Sequence, residues 1–285
     1  MIYNRYAGIR KYFMRGKALR NVAYALMKPG IIKKAKKKLA DKTLFDSVEI
    51  ETINRCNGEC PFCPINHKAD TREFAKMDDD LFKKIIDELS DMDYDGNLAL
   101  FSNNEPFVDV RIIEFAKYAR EKCPKAFIYI YTNGTLLTRE KILDIMPYLD
   151  EMVIDNYNDD LKLNPTSVIA NDLCKEFPEL DSKITIHLRK LNEVLYTRGG
   201  QAPNNQKKKE FKMPCIMPFG QLIIRPTGKI SLCCNDALGK YTLGDCTTQS
   251  LREIWNSETY VNIRKKLLKG RSEMELCRYC DTFSK

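Results

Sequence analysis

Apolar and polar positions follow two periods along the middle of the chain, and the two periods take turns. SVEIET (47–52), NLALF (97–101), FIYIY (127–131), EMVID (151–155) and KITIH (183–187) are short runs rich in β-branched and aromatic residues, and each predicts a strand. Between the first two, DDDLFKKIIDELSDM (78–92) carries apolar residues at helical spacing, with acids in its first turn that suit the positive end of a helix dipole. Helical patterns also fall near 109–122, at 138–147 and, more weakly, at 166–177. Strands alternating with helices predict parallel βα units, hence an α/β fold built as an open sheet or a partial barrel.

The rhythm changes after residue 190. RGGQAPNNQKKKE (198–210) is polar and reads as a linker or an ordered loop over a site. Beyond it, QLIIR and KISLCC flank a Pro-Thr-Gly-Lys turn as a hairpin, and residues 250–270 predict one helix. That helix offers Leu251, Ile254, Trp255, Val261, Ile263, Leu267 and Leu268, enough for one face and too little for an independent core. A C-terminal unit this poor in apolar material calls for a metal staple. The expected organisation is therefore an N-terminal extension (1–46), an α/β body (47–198), a linker (199–213) and a small metal-stapled unit (214–285).

With 44% hydrophobic residues in 285, the composition supports a packed interior and excludes a disordered or fibrous chain. The net charge of +8 is unevenly spread: residues 1–42 hold thirteen Lys or Arg and one acid, Asp41, leaving the remainder slightly acidic. In KPGIIKKAKKKLA, Ile31, Ile32, Ala35 and Leu39 lie near one helical face among lysines. This pattern fits a solvated surface helix, or one that meets an anionic membrane or a phosphorylated substrate. No run of 18 apolar residues and no signal-peptide pattern is present, so the expected location is cytoplasmic, with peripheral contact at the inner membrane surface through residues 1–42 as a further option. Eleven cysteines in such a chain point to metal or redox chemistry instead of disulfides.

Their spacing carries the chemistry. Cys56, Cys60 and Cys63 fall within eight residues on the loop directly after the first strand, where three thiolates can ligate three irons of a [4Fe-4S] cluster and leave the fourth iron open. A zinc site completed by His67 is the alternative, although zinc more often uses paired CxxC knuckles. His67 reads as an ordinary loop residue, and His187, a strand residue, receives no role. The second group, Cys215, Cys233, Cys277 and Cys280, is dispersed, and four Cys ligands could equally make a zinc ribbon.

The CxxxCxxC triplet after a first strand, with the aromatic Phe62 before its third cysteine, resembles the radical SAM superfamily. The resemblance implies a partial (β/α)6 barrel, with Phe62 near the adenine of S-adenosyl-L-methionine (SAM). SNNEP (102–106) looks like the segment that holds the SAM amino group, which assigns Ser102, Asn103 and Asn104 to backbone contacts and Glu105 to the acid; Ser-Asn-Asn stands where glycines are usual. YTNGTLLT (131–138) brings Thr132 and Asn133 towards the ribose, and Asp155 ends the fourth strand at a suitable place. The second cysteine group, with CIMPF, RPTGKISLCCND, a Gly-Asp pair before EIWNS and a terminal CRYCD, resembles the SPASM or shorter twitch domain around one auxiliary [4Fe-4S] cluster, with Cys233 preferred to Cys234. Its spacing is closest to the single-cluster twitch type of an aminocyclitol dehydrogenase.

By this resemblance, one electron cleaves SAM to a 5'-deoxyadenosyl radical, which removes a hydrogen atom from a substrate C–H. The expected outcome is oxidation of an alcohol carbon to a ketone, the auxiliary cluster accepting the electron. The base would be Arg189 or Arg198, in a highly perturbed state because Arg is otherwise always protonated. Epimerisation with Cys234 or Cys246 as hydrogen donor is the first alternative, weighed against both being small buried thiols. Peptide modification is the second, disfavoured because only about 46 residues precede the first strand. The expected partners are a small sugar-like substrate, free or linked to phosphate or lipid, and a flavodoxin or ferredoxin-type reductant. A zinc protein that binds nucleic acid is the competing class; the basic charge confined to one end, without an aromatic-basic stacking surface, argues against it.

Overall fold

The computed structural model describes residues 29–30, 32–41, 43–205 and 209–282. Its frame is one seven-stranded sheet in the order β5-β4-β3-β2-β1-β6-β7. Strands β1 (Ser47–Ile50), β2 (Asn97–Ala99), β3 (Phe127–Thr132), β4 (Glu151–Tyr157) and β5 (Ile184–Arg189) run parallel in sequence order, as the alternating pattern predicts. The sixth parallel strand comes from elsewhere. β6 (Gln221–Ile224), from the C-terminal region, pairs parallel with β1 at the opposite edge from β5, and β7 (Ile230–Ser231) turns back antiparallel on it.

The crossovers are α1 (Asp79–Asp91), α2 (Ile112–Lys122), α3 (Arg139–Ile145), α4 (Pro165–Glu176) and the short α5 (Pro178–Asp181). Asp78 caps α1 by accepting from the Asp80 amide, and Phe82, Ile85, Ile86 and Leu89 bury its apolar face. Phe82 stacks on Phe115 of α2 at 4.0 Å between centroids, locking the two crossovers together. In register, Val48, Leu98 and Ile128 form one buried apolar row, while the adjacent row reads Glu49, Ala99 and Tyr129. Alternation within each strand thus sends an acid and a phenol to the face opposite the apolar row.

The C-terminal helix divides where the sequence predicts continuity. α6 (Leu251–Asn256) begins in a Ser250–Glu253 capping box, and Ser257, in extended conformation, ends it and caps α7 (Glu258–Lys269). A hydroxyl that serves the second helix as N-cap stops the first. α8 (Glu275–Arg278) follows. Trp255 is buried, with Phe45 edge-on at 5.3 Å and its indole N–H donating to the Thr43 carbonyl at 2.9 Å, so the segment before β1 is tied to α6. Within the described part of the basic extension, residues 32–40 are helical, Ala35 is buried and Lys38 pairs with Asp46. Ile31 and residues 1–28 lie outside the described residues. No helix among the described residues is long and apolar enough to cross a membrane.

Candidate active site

The loop after β1 carries Cys56, Cys60 and Cys63, and Asn66 shapes it. The Asn66 amide donates to the Cys60 carbonyl at 3.1 Å and the Cys63 carbonyl at 2.8 Å, while its oxygen accepts from the amides of Lys68 and Ala69. Gly58 sits between two of the thiols: a Cβ there would lie 3.4 Å from Cys56 Sγ and 3.8 Å from Cys60 Sγ. Burial pushes the Cys56 and Cys60 thiols up to about 12, so a cationic group has to supply the charge that makes them thiolates. A cluster with one open iron fits this loop. His67 is exposed, as expected of a loop residue.

The segments after β2 and β3 meet at this loop. Glu105, 2% exposed, accepts from the Phe107 amide at 3.2 Å, the Thr132 hydroxyl at 2.7 Å and the Asn133 amide at 2.8 Å, and burial raises its carboxyl to about 7. These bonds take three of the roughly four acceptor positions of a carboxylate. Asn133 reaches the other way, its amide nitrogen 3.0 Å from Asn57 Oδ1 and 3.9 Å from Cys56 Sγ. Arg72, which sequence reasoning missed, binds the β1 loop to the turn after β2. It pairs with Glu51 at 2.8 Å and Asp70 at 2.9 Å, and donates to the Asn103 carbonyl at 3.0 Å.

Phe62 is buried against Tyr157 at 5.3 Å between centroids. Beside it at the ends of β4 and β5, Asp155 lies 3.2 Å from His187 Nδ1 and 3.4 Å from Arg189, which also meets Glu193 at 3.3 Å. Arg189 is therefore committed to two carboxylates. Arg198 is placed differently. It is bonded to Asn103 Oδ1 and, at 2.8 Å, to the Cys234 carbonyl, and its Nε is buried without a partner. It thereby touches both the turn after β2 and the hairpin that carries the second cysteine group.

The residues on either side of Arg198, Thr197 and the first residue of the predicted linker, Gly199, hold it in place. Thr197 donates from its amide to Asp281 at 2.8 Å and from its hydroxyl to the Tyr279 carbonyl at 2.7 Å. Gly199, at φ +66°, lies so close to Leu276 that a Cβ would stand 2.5 Å from its Cδ1. Arg198 itself has φ +48°, a strained value for a residue with a side chain. Residues 206–208 lie outside the described residues.

Opposite Arg198, Glu49 accepts from the Ser102 hydroxyl at 2.7 Å and from Gln221 Nε2 at 2.5 Å, and Gln221 Oε1 accepts from the Cys234 amide at 3.3 Å. Burial raises Glu49 to about 7, with Ser102, Arg198 and Gln221 opposing. Glu49, Tyr129 and Gln221 were not singled out from sequence. The available signal was an acid alternating with Val48 and Ile50 in a strand of a parallel sheet, where near-continuous apolar residues are the rule. Buried polar atoms without partners gather here: Arg198 Nε and Asn104 Nδ2, with Gln201 Nε2 on the same strap. Such atoms are the ones a polar ligand satisfies.

Cys215, Cys233, Cys277 and Cys280 line one cavity, together with Leu232, Leu267, Leu276 and Arg271. Cys234 is not among the cavity's walls. Burial pushes Cys233 well up and Cys277 and Cys215 up. Four thiols and apolar walls fit an iron-sulfur cluster. Cys246 is not brought to either group; its thiol donates to the Gly228 carbonyl at 2.9 Å in the core.

An open three-cysteine loop at the strand ends of a parallel sheet, followed by a closed four-cysteine cavity, is the arrangement of a radical SAM enzyme with a C-terminal iron-sulfur domain, and the chain belongs to that family. The radical SAM superfamily model matches residues 50–160, and the SPASM model, an iron-sulfur cluster-binding domain, matches residues 215–281. The S-adenosyl-L-methionine-dependent 2-deoxy-scyllo-inosamine dehydrogenase of Niallia circulans is 26% identical over 242 residues, covering 85% of this chain and 94% of that protein. The crystal structure of BtrN in complex with AdoMet and 2-DOIA superposes with a TM-score of 0.73 at 25% identity, over 84% of this chain and 94% of that one. The AdoMet-bound structure of anSMEcpe shares the fold at a TM-score of 0.55 and 12% identity, over 82% and 85%. The chain is thus an enzyme, and the zinc-protein alternative falls away.

Proposed function

We propose that this protein is a radical SAM dehydrogenase that oxidises an alcohol carbon of a small carbohydrate-like substrate, an aminocyclitol or related sugar. One observation carries the reading: Arg198 contacts Asn103, beside the Glu105 turn, and Cys234, next to the cavity-lining Cys233, so a polar network links the two cysteine groups. Cys56, Cys60 and Cys63 would hold the catalytic [4Fe-4S] cluster, and Cys215, Cys233, Cys277 and Cys280 the auxiliary one. When bound, the first cluster with SAM supplies hydrogen-atom abstraction from an unactivated C–H. We assign Phe62, Ser102, Asn103, Asn104, Glu105, Thr132, Asn133 and Asp155 to the SAM side. We take residues 47–198 and 214–285 as the two functional units, the second also contributing β6 to the sheet.

The chain's own residues then manage a proton and the substrate's polar groups. Of the network around Arg198, Glu49 has a proton affinity near neutrality, which suits it to take the proton that leaves as an alcohol becomes a ketone, while Arg198 orients and neutralises. Arg198 is preferred to Arg189 because Arg189 is already held by Asp155 and Glu193. The reductant we propose is of the flavodoxin or ferredoxin type. The exposed lysines of residues 32–40 give charge to any contact with a phosphate-linked substrate or an anionic membrane.

A second reading is epimerisation. Burial pushes the Cys234 thiol up to about 12, keeping it in the protonated form that a hydrogen-atom donor needs, and it neighbours the same network. Both readings meet one experiment. The anaerobically reconstituted protein is incubated in D2O with SAM, dithionite and a panel of cyclitols, aminocyclitols and sugars. Formation of 5'-deoxyadenosine with a ketone product supports the dehydrogenase; an unoxidised product carrying solvent deuterium supports the epimerase. No 5'-deoxyadenosine with any member removes this substrate class.

A further inference from the structure

We propose that Arg271 is a fixed buried cation that raises the reduction potential of the four-cysteine centre and so makes it a better electron acceptor. The proposal rests on the reading of Cys215, Cys233, Cys277 and Cys280 as cluster ligands. Arg271 is 1% exposed and walls the same cavity as the four thiols. Its guanidinium donates to the Cys280 carbonyl at 2.5 Å and the Thr282 carbonyl at 2.8 Å, its Nε is buried without a partner, and among the described residues it forms no ion pair. A full charge held this deep without a carboxylate is costly unless an anion answers it.

Arg72 is paired with Glu51 and Asp70. Arg264, like Arg271, forms no ion pair among the described residues and has a buried nitrogen without a partner, but its guanidinium lies 3.8 Å from the Trp255 ring centroid and 4.1 Å from that of Tyr260, away from the four-thiol cavity. Arg271 instead shares its cavity with the four thiols. Four thiolates around a [4Fe-4S] core carry net negative charge, which grows by one when the centre accepts an electron. A nearby fixed cation stabilises that reduced state most, and burial keeps salt from screening it.

The test isolates this centre in a chain carrying Cys56→Ala, Cys60→Ala and Cys63→Ala. After anaerobic reconstitution, iron counting examines the ligand reading alone: about four irons per chain sustain it, and none removes it together with the proposal. A redox titration followed by electron paramagnetic resonance then compares Arg271, Arg271→Lys and Arg271→Gln. The expected result is a midpoint shifted to more negative potential in Arg271→Gln and held near the parent value in Arg271→Lys. An unshifted midpoint in Arg271→Gln overturns the proposal. If Arg271→Gln takes up no iron, iron uptake with a parent-like midpoint in Arg271→Lys supports the need for charge. Failure of both variants to take up iron makes the residue a structural bracket and overturns the proposal.

Discussion

Replacing Glu49 by Gln should stabilise the cluster-free protein at alkaline pH while impairing the enzyme. The Glu49 carboxyl is raised from 4.5 to about 7, chiefly because burial disfavours its charge. The groups acting on it are the Ser102 hydroxyl, the Gln221 amide and Arg198, all of which favour ionisation, and none fully offsets the lost hydration. A carboxyl with a raised folded-state value costs no stability below its unfolded value near 4.5. The cost grows as pH climbs through the interval to about 7 and is constant above it. Applying linkage to that shift, the gain from Glu49→Gln should rise from about 1 kcal/mol at pH 5 to about 3 kcal/mol at pH 8. The substitution keeps the bonding: the new amide can accept from Gln221 and donate to the Ser102 oxygen. Urea denaturation followed by the fluorescence of Trp255, the sole tryptophan and 2% exposed, reports unfolding of the core. A gain equal at both pH values, or a loss that grows with pH, would falsify the assignment of buried charge to Glu49. In the reconstituted enzyme the same variant should retain SAM binding but lose kcat for substrate oxidation at neutral pH, since Gln takes up no proton.

Other substitutions separate the two cysteine groups and the strap between them. Cys233→Ser should lower the iron content of the reconstituted protein by about half, from two four-iron centres to one, whereas Cys234→Ser should leave it unchanged, since Cys234 does not line the cavity. Cys56→Ala should abolish 5'-deoxyadenosine formation while the auxiliary iron is retained; iron counting and chromatography on one sample check both. Gly199→Ala should destabilise the chain by about 1–3 kcal/mol in denaturant titration, because a Cβ at φ +66° adds backbone strain and meets Leu276. It should also lower kcat/KM, as Arg198 loses its anchor.

The strand and helix order from residue 47 to 189 was legible because hydrophobic period is a local property: β-branched runs and amphipathic stretches mark their own elements whatever packs on them. The triplet Cys56, Cys60 and Cys63 was legible for the same reason, since its ligands sit within one loop. Pairing across sequence distance was not local. That β6 joins β1 depends on which sheet edge remains open after β5, and no pattern within Gln221–Ile224 encodes it. The break at Ser257 escaped because a serine costs little within a helix yet gains a capping bond when the next helix needs one.

Cys233 and Cys234 stand side by side in the sequence, and only the resemblance prefers Cys233. Tertiary structure separated them: Cys233 lines the cavity with the other three thiols, while Cys234 offers its amide to Gln221 and its carbonyl to Arg198. The same holds for Arg189 and Arg198, equivalent in sequence after the fifth strand; the carboxylates that claim the first and the strap that aims the second come from distant segments. Periodicity and ligand spacing were enough for the order of elements from residue 47 to 189 and for the class of chemistry. Which side chains face one another was decided only by the fold, because burial, pKa and orientation are set by neighbours that the chain brings together from far apart.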